Sequence, residues 1–189
     1  MGHMVQNKTN LELEIILALI KEKGHLREIA RKLNEPHSTV LRKTNELVKE
    51  NAVDYKIEGR NKTFFIKNSM QARIYVYSAE KYKLAKLLKR YPHLSIIFED
   101  ILKGVNGKMT LLFGSYAKFL AKPDSDIDIY VDTADNKIKQ KLQEIHSKIR
   151  VKTGKFDKDS LLIKEVIKNH VVLRGIDEFY EKSKFFEQT

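Results

Sequence analysis

The stretch GSYAKFLAKPDSDIDIYV, residues 114–131, follows an apolar run, KMTLLF, and closes on an alternating segment, DIDIYV. Alternation of apolar and polar residues predicts a strand. On a strand Asp126 and Asp128 project to the same side, with Cα atoms about 6.5–7 Å apart. Two carboxylates so placed repel unless a cation sits between them. Asp132 would share their face but lies about 13 Å beyond Asp128, so it reads as a strand-end residue. Asp124, next to Pro123, reads as a loop residue. Upstream, the apolar strand runs into Gly114-Ser115, where a helix is expected to start. That start would aim backbone N–H groups and the Ser115 hydroxyl at an anion such as a phosphate. Gly114 permits close backbone approach.

Composition narrows the chemistry. The 189 residues include no cysteine, which excludes disulfides, thiol catalysis and thiolate metal sites. A metal must then be held by oxygen or imidazole, which favours hard ions such as magnesium. With 42% apolar and 32% charged residues, a folded chain with two small domains is expected. The opening MGHM, residues 1–4, looks like a vector remnant. No apolar run approaches the roughly 20 residues that span a bilayer, and the N-terminus has no signal-peptide core, so a cytoplasmic protein without a membrane partner is expected. The net charge of +11 is spread along the chain and favours a polyanionic partner, although it also suits a merely soluble surface.

The expected fold class is mixed α/β (α+β), in three parts. In the first, residues 5–68, apolar periodicity gives a helix from Asn10 to Lys23, a short helix through Leu26, Ile29 and Leu33, and a third helix after a Ser38 or Thr39 cap. The segment VDYKIEGRNKTFFIKN then alternates around a turn at Glu58-Gly59-Arg60-Asn61. This order of elements resembles a winged helix-turn-helix domain of transcription regulators. The resemblance implies duplex DNA as a partner, with His37, Ser38, Thr39, Arg42 and Lys43 at the start of the third helix and Arg60 and Lys62 at the wing. The basic residues also suit a solvated helix face, and winged helices also dock proteins. Residues 69–107 read as a helical connector broken at Tyr91-Pro92, with a surface that could serve a homodimer. Residues 108–189 read as a small mixed-sheet α/β domain. The histidines at 25, 93, 146 and 170 show no ligand spacing.

The pattern Gly114-Ser115, ten residues, Asp126-Ile127-Asp128 resembles the signature of the nucleotidyltransferase superfamily of DNA polymerase beta, and within it the minimal nucleotidyltransferases. The flanking Tyr116-Ala117-Lys118 and Ser125-Asp126 are similar too. The resemblance implies that Asp126 and Asp128 hold magnesium and that Gly114 and Ser115, with Lys118 beside them, grip the phosphates of ATP or another NTP. It implies transfer of a nucleoside monophosphate to an acceptor hydroxyl, and some relatives are antitoxins that modify a toxin-like protein. Two departures stand out. Family members often have Arg-Gly where this chain has Lys118-Phe119, and a third carboxylate is usual on the neighbouring strand. Here that strand carries Arg150 and Lys152, and Asp157, just past it, is the nearest acid and a candidate catalytic residue. Without a third carboxylate the chain could bind nucleotide without transferring it, as a DNA-binding regulator would.

Overall fold

A computed structural model describes residues 10–187. The chain divides into two compact units between Ala79 and Glu80.

In the first unit, helix α1 (Leu11–Lys21) starts at Asn10, whose side chain accepts a hydrogen bond from the Leu13 N–H. A two-residue strand β1 (Gly24–His25) leads to α2 (Leu26–Leu33), which ends on Asn34 in the left-handed conformation. Helix α3 (His37–Lys49) follows. The cap expected at Ser38 or Thr39 falls inside the first turn of α3 instead. Pro36 is the cap residue there, and no side chain caps the helix. Strands β2 (Val53–Glu58) and β3 (Asn61–Ile66) form a hairpin in which Glu58 faces Asn61. Its two-residue turn places Gly59 at φ +62°, the sign that a right-twisted hairpin needs and that glycine adopts without steric cost. The sheet order is β1-β3-β2. Its core gathers Ile15, Ile16 and Leu19 of α1, Val40 and Leu47 of α3, and Phe64 and Ile66 of β3.

Helix α4 (Met70–Arg90) runs through the division and stops just before Pro92, and α5 (Leu94–Gly104) follows. The second unit is built on four strands: β4 (Thr110–Phe113), β5 (Ile127–Asp132), β6 (Ile149–Gly154) and β7 (Val171–Arg174), in the order β6-β5-β4-β7. Strand β4 runs antiparallel to both β5 and β7, whereas β5 and β6 are parallel, so the sheet is mixed. All four residues of β4 are buried, which suits an apolar run in an interior strand. Between the strands lie the one-turn helix α6 (Gly114–Ala117), α7 (Asn136–Ile145) and α8 (Leu161–Lys168). Helix α9 (Ile176–Lys182) and a 3-10 turn (Phe185–Glu187) end the unit.

Leu87, Leu94, Phe98 and Ile101 of α4 and α5 share a core with Ile127, Ile129 and Val131 of β5 and Leu142 of α7. Much of the segment read from sequence as a connector is therefore part of the second unit. Its apolar stripe has a sheet to cover, which local periodicity does not reveal. A charge is buried here as well: Glu80 is fully enclosed, and its Oε1 accepts a 2.9 Å hydrogen bond from the Tyr180 hydroxyl and lies 3.3 Å from His170 Nε2. Among the described residues no helix is long and apolar enough to cross a membrane.

Candidate active site

The site begins where β4 ends. The chain leaves Phe113 and turns at once through α6, closed by hydrogen bonds from the Lys118 N–H to the Gly114 carbonyl (3.2 Å) and from the Leu120 N–H to the Ser115 carbonyl (3.0 Å). Helix α6 is a single turn, too short for much of a macrodipole. Phe119 follows at φ +60°, an unusual backbone for a bulky residue, and its half-buried ring packs against the core. This is the position at which the resembling family often has glycine, and the left-handed backbone supplies a reason.

Strand pairing brings the two halves of the motif together. Asp128, in β5, lies opposite Phe113, the residue before Gly114. Gly114 has φ +71°, and a Cβ there would collide with Oδ2 of Asp128 and lie 2.9 Å from its Cγ. The glycine is thus required twice: by its backbone conformation and by the carboxylate against it. Asp128 is half-buried, whereas Asp126 sits just before the strand and is exposed.

The two carboxylates of the pair repel one another. Burial first, then the charges of Asp126 and Glu165, push the Asp128 carboxyl above the ordinary carboxylate value, against a smaller opposing effect of Lys152 and Arg150. Arg150, opposite Asp128 on β6, places its guanidinium 3.4 Å from Asp126 Oδ1. Lys118, on the exposed side of the turn, lies 3.4 Å from Oε1 of Glu165 on α8. Glu165 had no signature in the sequence: it is 37 residues beyond Asp128 on an amphipathic helix, and only packing of α8 brings it near.

Asp157 is not brought to this cluster. Arg150, near the start of β6, is the partner of Asp128, whereas Asp157 lies three residues past the other end of that strand. Its carboxylate accepts instead from the Asp159 N–H (3.0 Å), in the turn before α8. Asp132 is a strand-end residue with structural partners, the Phe156 N–H (2.9 Å) and the Lys182 ammonium.

Among the described residues no three His, Asp or Glu side chains are arranged to hold a metal. Two hard carboxylates beside a backbone cradle still fit one magnesium-like ion, because such ions are commonly bound by one or two carboxylates with substrate phosphates completing the shell. On β6, the strand beside the pair, the exposed side chains of Arg150 and Lys152 are cationic.

In the first unit the other candidate residues lie at two places. His37, Ser38 and Arg42 are exposed on the first turns of α3, with Thr39 half-buried. Arg42 pairs with Glu46 at 2.9 Å, and Lys43 bridges Glu46 and Glu12 of α1 at 2.7 Å each, so Lys43 ties two helices together. Arg60 is exposed at the hairpin turn, and the Lys62 ammonium lies 3.9 Å over the Tyr55 ring.

A family model described as polymerase beta, nucleotidyltransferase matches residues 83–179, a span that takes in the Gly114-Ser115 turn, both aspartates and the end of α4. No curated protein matches the chain. The matched span is just over half of the chain and contains the motif whose two halves the sheet brings into contact, and on these grounds the chain belongs to the polymerase beta nucleotidyltransferase family.

Proposed function

We propose that the chain is a magnesium-dependent nucleotidyltransferase that moves a nucleoside monophosphate, AMP from ATP by resemblance, onto an acceptor hydroxyl. The observation that supports this reading is the close approach of the Asp128 carboxylate to Gly114, which brings the Gly114-Ser115 turn against one of the two aspartates. Asp126 and Asp128 would hold the metal; Gly114, Ser115 and Lys118 would meet the nucleotide phosphates. The bound ion would supply neutralisation of the triphosphate charge. In the reaction the acceptor oxygen bonds to the α-phosphorus, the bond to the bridging oxygen breaks, pyrophosphate leaves and the acceptor proton passes to water. A toxin-like partner protein is the acceptor class that the resemblance favours.

The test is transfer of label from α-labelled ATP with magnesium, with and without a candidate partner protein. Label should appear on an acceptor and vanish in Asp126→Ala and Asp128→Ala. Absence of transfer from every NTP tried counts against the enzyme.

A second reading is a DNA-binding regulator: a winged helix in the first unit joined to a nucleotidyltransferase-like domain that senses nucleotide without catalysis. Arg150 beside Asp126, where a carboxylate would assist a reaction, favours it. Its DNA contacts would be His37, Ser38, Thr39, Arg42 and Lys43 on α3, with Arg60 and Lys62 on the hairpin. A salt-sensitive shift of duplex DNA that weakens in Arg60→Ala supports this reading, and equal binding by that variant opposes it.

A further inference from the structure

Behind the sheet, within the second unit, lies a cavity of about 460 Å³ that the proposed reaction does not use. Ile127, between the two aspartates, lines it, and because side chains alternate along a strand the cavity is on the face opposite Asp128. Its volume is within the range of small-molecule sites, about 300–1,000 Å³.

The walls are specific in chemistry. Tyr91, His93 and Tyr116 form a cluster of rings, with Tyr91 and Tyr116 5.0 Å apart edge to face and His93 about 6 Å from each. Tyr116 is almost fully buried, whereas Tyr91 is half-buried and His93 exposed, so the aromatic surface open to the cavity is that of Tyr91 and His93. Cations gather at the same place: Lys122, Lys148 and His146 line the cavity, and the Arg90 guanidinium lies 5.6 Å over the Tyr91 ring. The Lys148 ammonium donates to the Pro123 carbonyl at 2.6 Å, which holds it at the cavity wall. No carboxylate is among the lining residues.

Aromatic surface and clustered positive charge together select a planar heteroaromatic ring bearing a phosphate. We infer that this cavity is a second ligand site, separate from the Asp126–Asp128 pair, that takes a nucleoside monophosphate. The ring lies against Tyr91 and His93, and the phosphate faces Lys122 and Lys148. The inference does not depend on transfer activity, since it requires neither a metal nor a triphosphate.

The test is titration of the full chain with AMP in the presence of a chelator, read by calorimetry, with adenosine and inorganic phosphate in parallel. AMP should bind, and each fragment should bind at least about tenfold more weakly, because each keeps only half of the recognition. His93→Ala and Lys122→Ala, both at exposed positions, should each weaken AMP several-fold, whereas Asp128→Asn should leave it unchanged. Absence of AMP binding, or binding that survives both cavity variants and falls in Asp128→Asn, overturns the inference.

Discussion

At the scale of single residues, Gly114 and Asp128 define one another. Alanine at 114 must take up a left-handed backbone, at a cost of about 1–2 kcal/mol, and its Cβ drives the Asp128 carboxylate away. Gly114→Ala should therefore lower Tm and, if the proposed transfer operates, slow it by about 100-fold, the scale of a misplacement of about 1 Å. Parent-like Tm and rate would show that the contact carries no weight. Asp128 also makes a prediction through its charge. Burial, then Asp126 and Glu165, hold its carboxyl above the ordinary value, so ionisation is harder in the folded chain than in the unfolded one. The ionised group costs stability at neutral pH, and the cost disappears as pH falls through the raised pKa. Asp128→Asn should accordingly melt no lower than the parent at neutral pH without divalent ions, while abolishing any metal-dependent activity. A lower Tm in that variant would contradict the electrostatic account. The Gly-Ser turn and the two aspartates were legible because each is local and their spacing is a property of the chain. Glu165 and the Arg150–Asp126 pair were not, because they meet only across strands and helices distant in sequence.

Among the elements, α4 is held to the C-terminal helix α9 and to β7's first flank by a buried polar group. Burial by itself would raise the Glu80 carboxyl, but the charges of His170 and Lys83 and hydrogen bonds from His170 and Tyr180 outweigh it and hold it at about 2. A carboxyl lowered in this way stabilises the fold above its unfolded value of about 4.5, and the contribution is lost as pH falls toward about 2. Tyr180→Phe removes the 2.9 Å hydrogen bond and should cost about 1–3 kcal/mol at neutral pH, measured by urea unfolding. A change within error would mean that the carboxylate finds other partners. The helices and strands themselves were largely readable from periodicity, including the break before Pro92 and the Gly59-Arg60 turn. Cap placement was less so, since Pro36, which fixes its own φ, starts α3 before either hydroxyl residue can cap it.

For the whole molecule, the division between Ala79 and Glu80 falls inside a continuous helix. Each unit has its own buried core, with Leu47 at 1% exposure in the first and Ile101 at 0% in the second. Leu47→Ala and Ile101→Ala should each cost about 2–5 kcal/mol. Hydrogen exchange should show the loss of protection concentrated in the mutated unit, and uniform loss across both would show that they unfold as one. The sequence by itself determined the order of helices and strands, the absence of thiol chemistry, the basic balance and the linear motif, because each depends on neighbours along the chain. Only the tertiary structure decided that α5 completes the second core, that Asp157 stands apart from the aspartate pair, and that an aromatic, basic cavity lies behind it. Those outcomes depend on how the sheet pairs and which helices cover it, and spacing along the chain does not encode that.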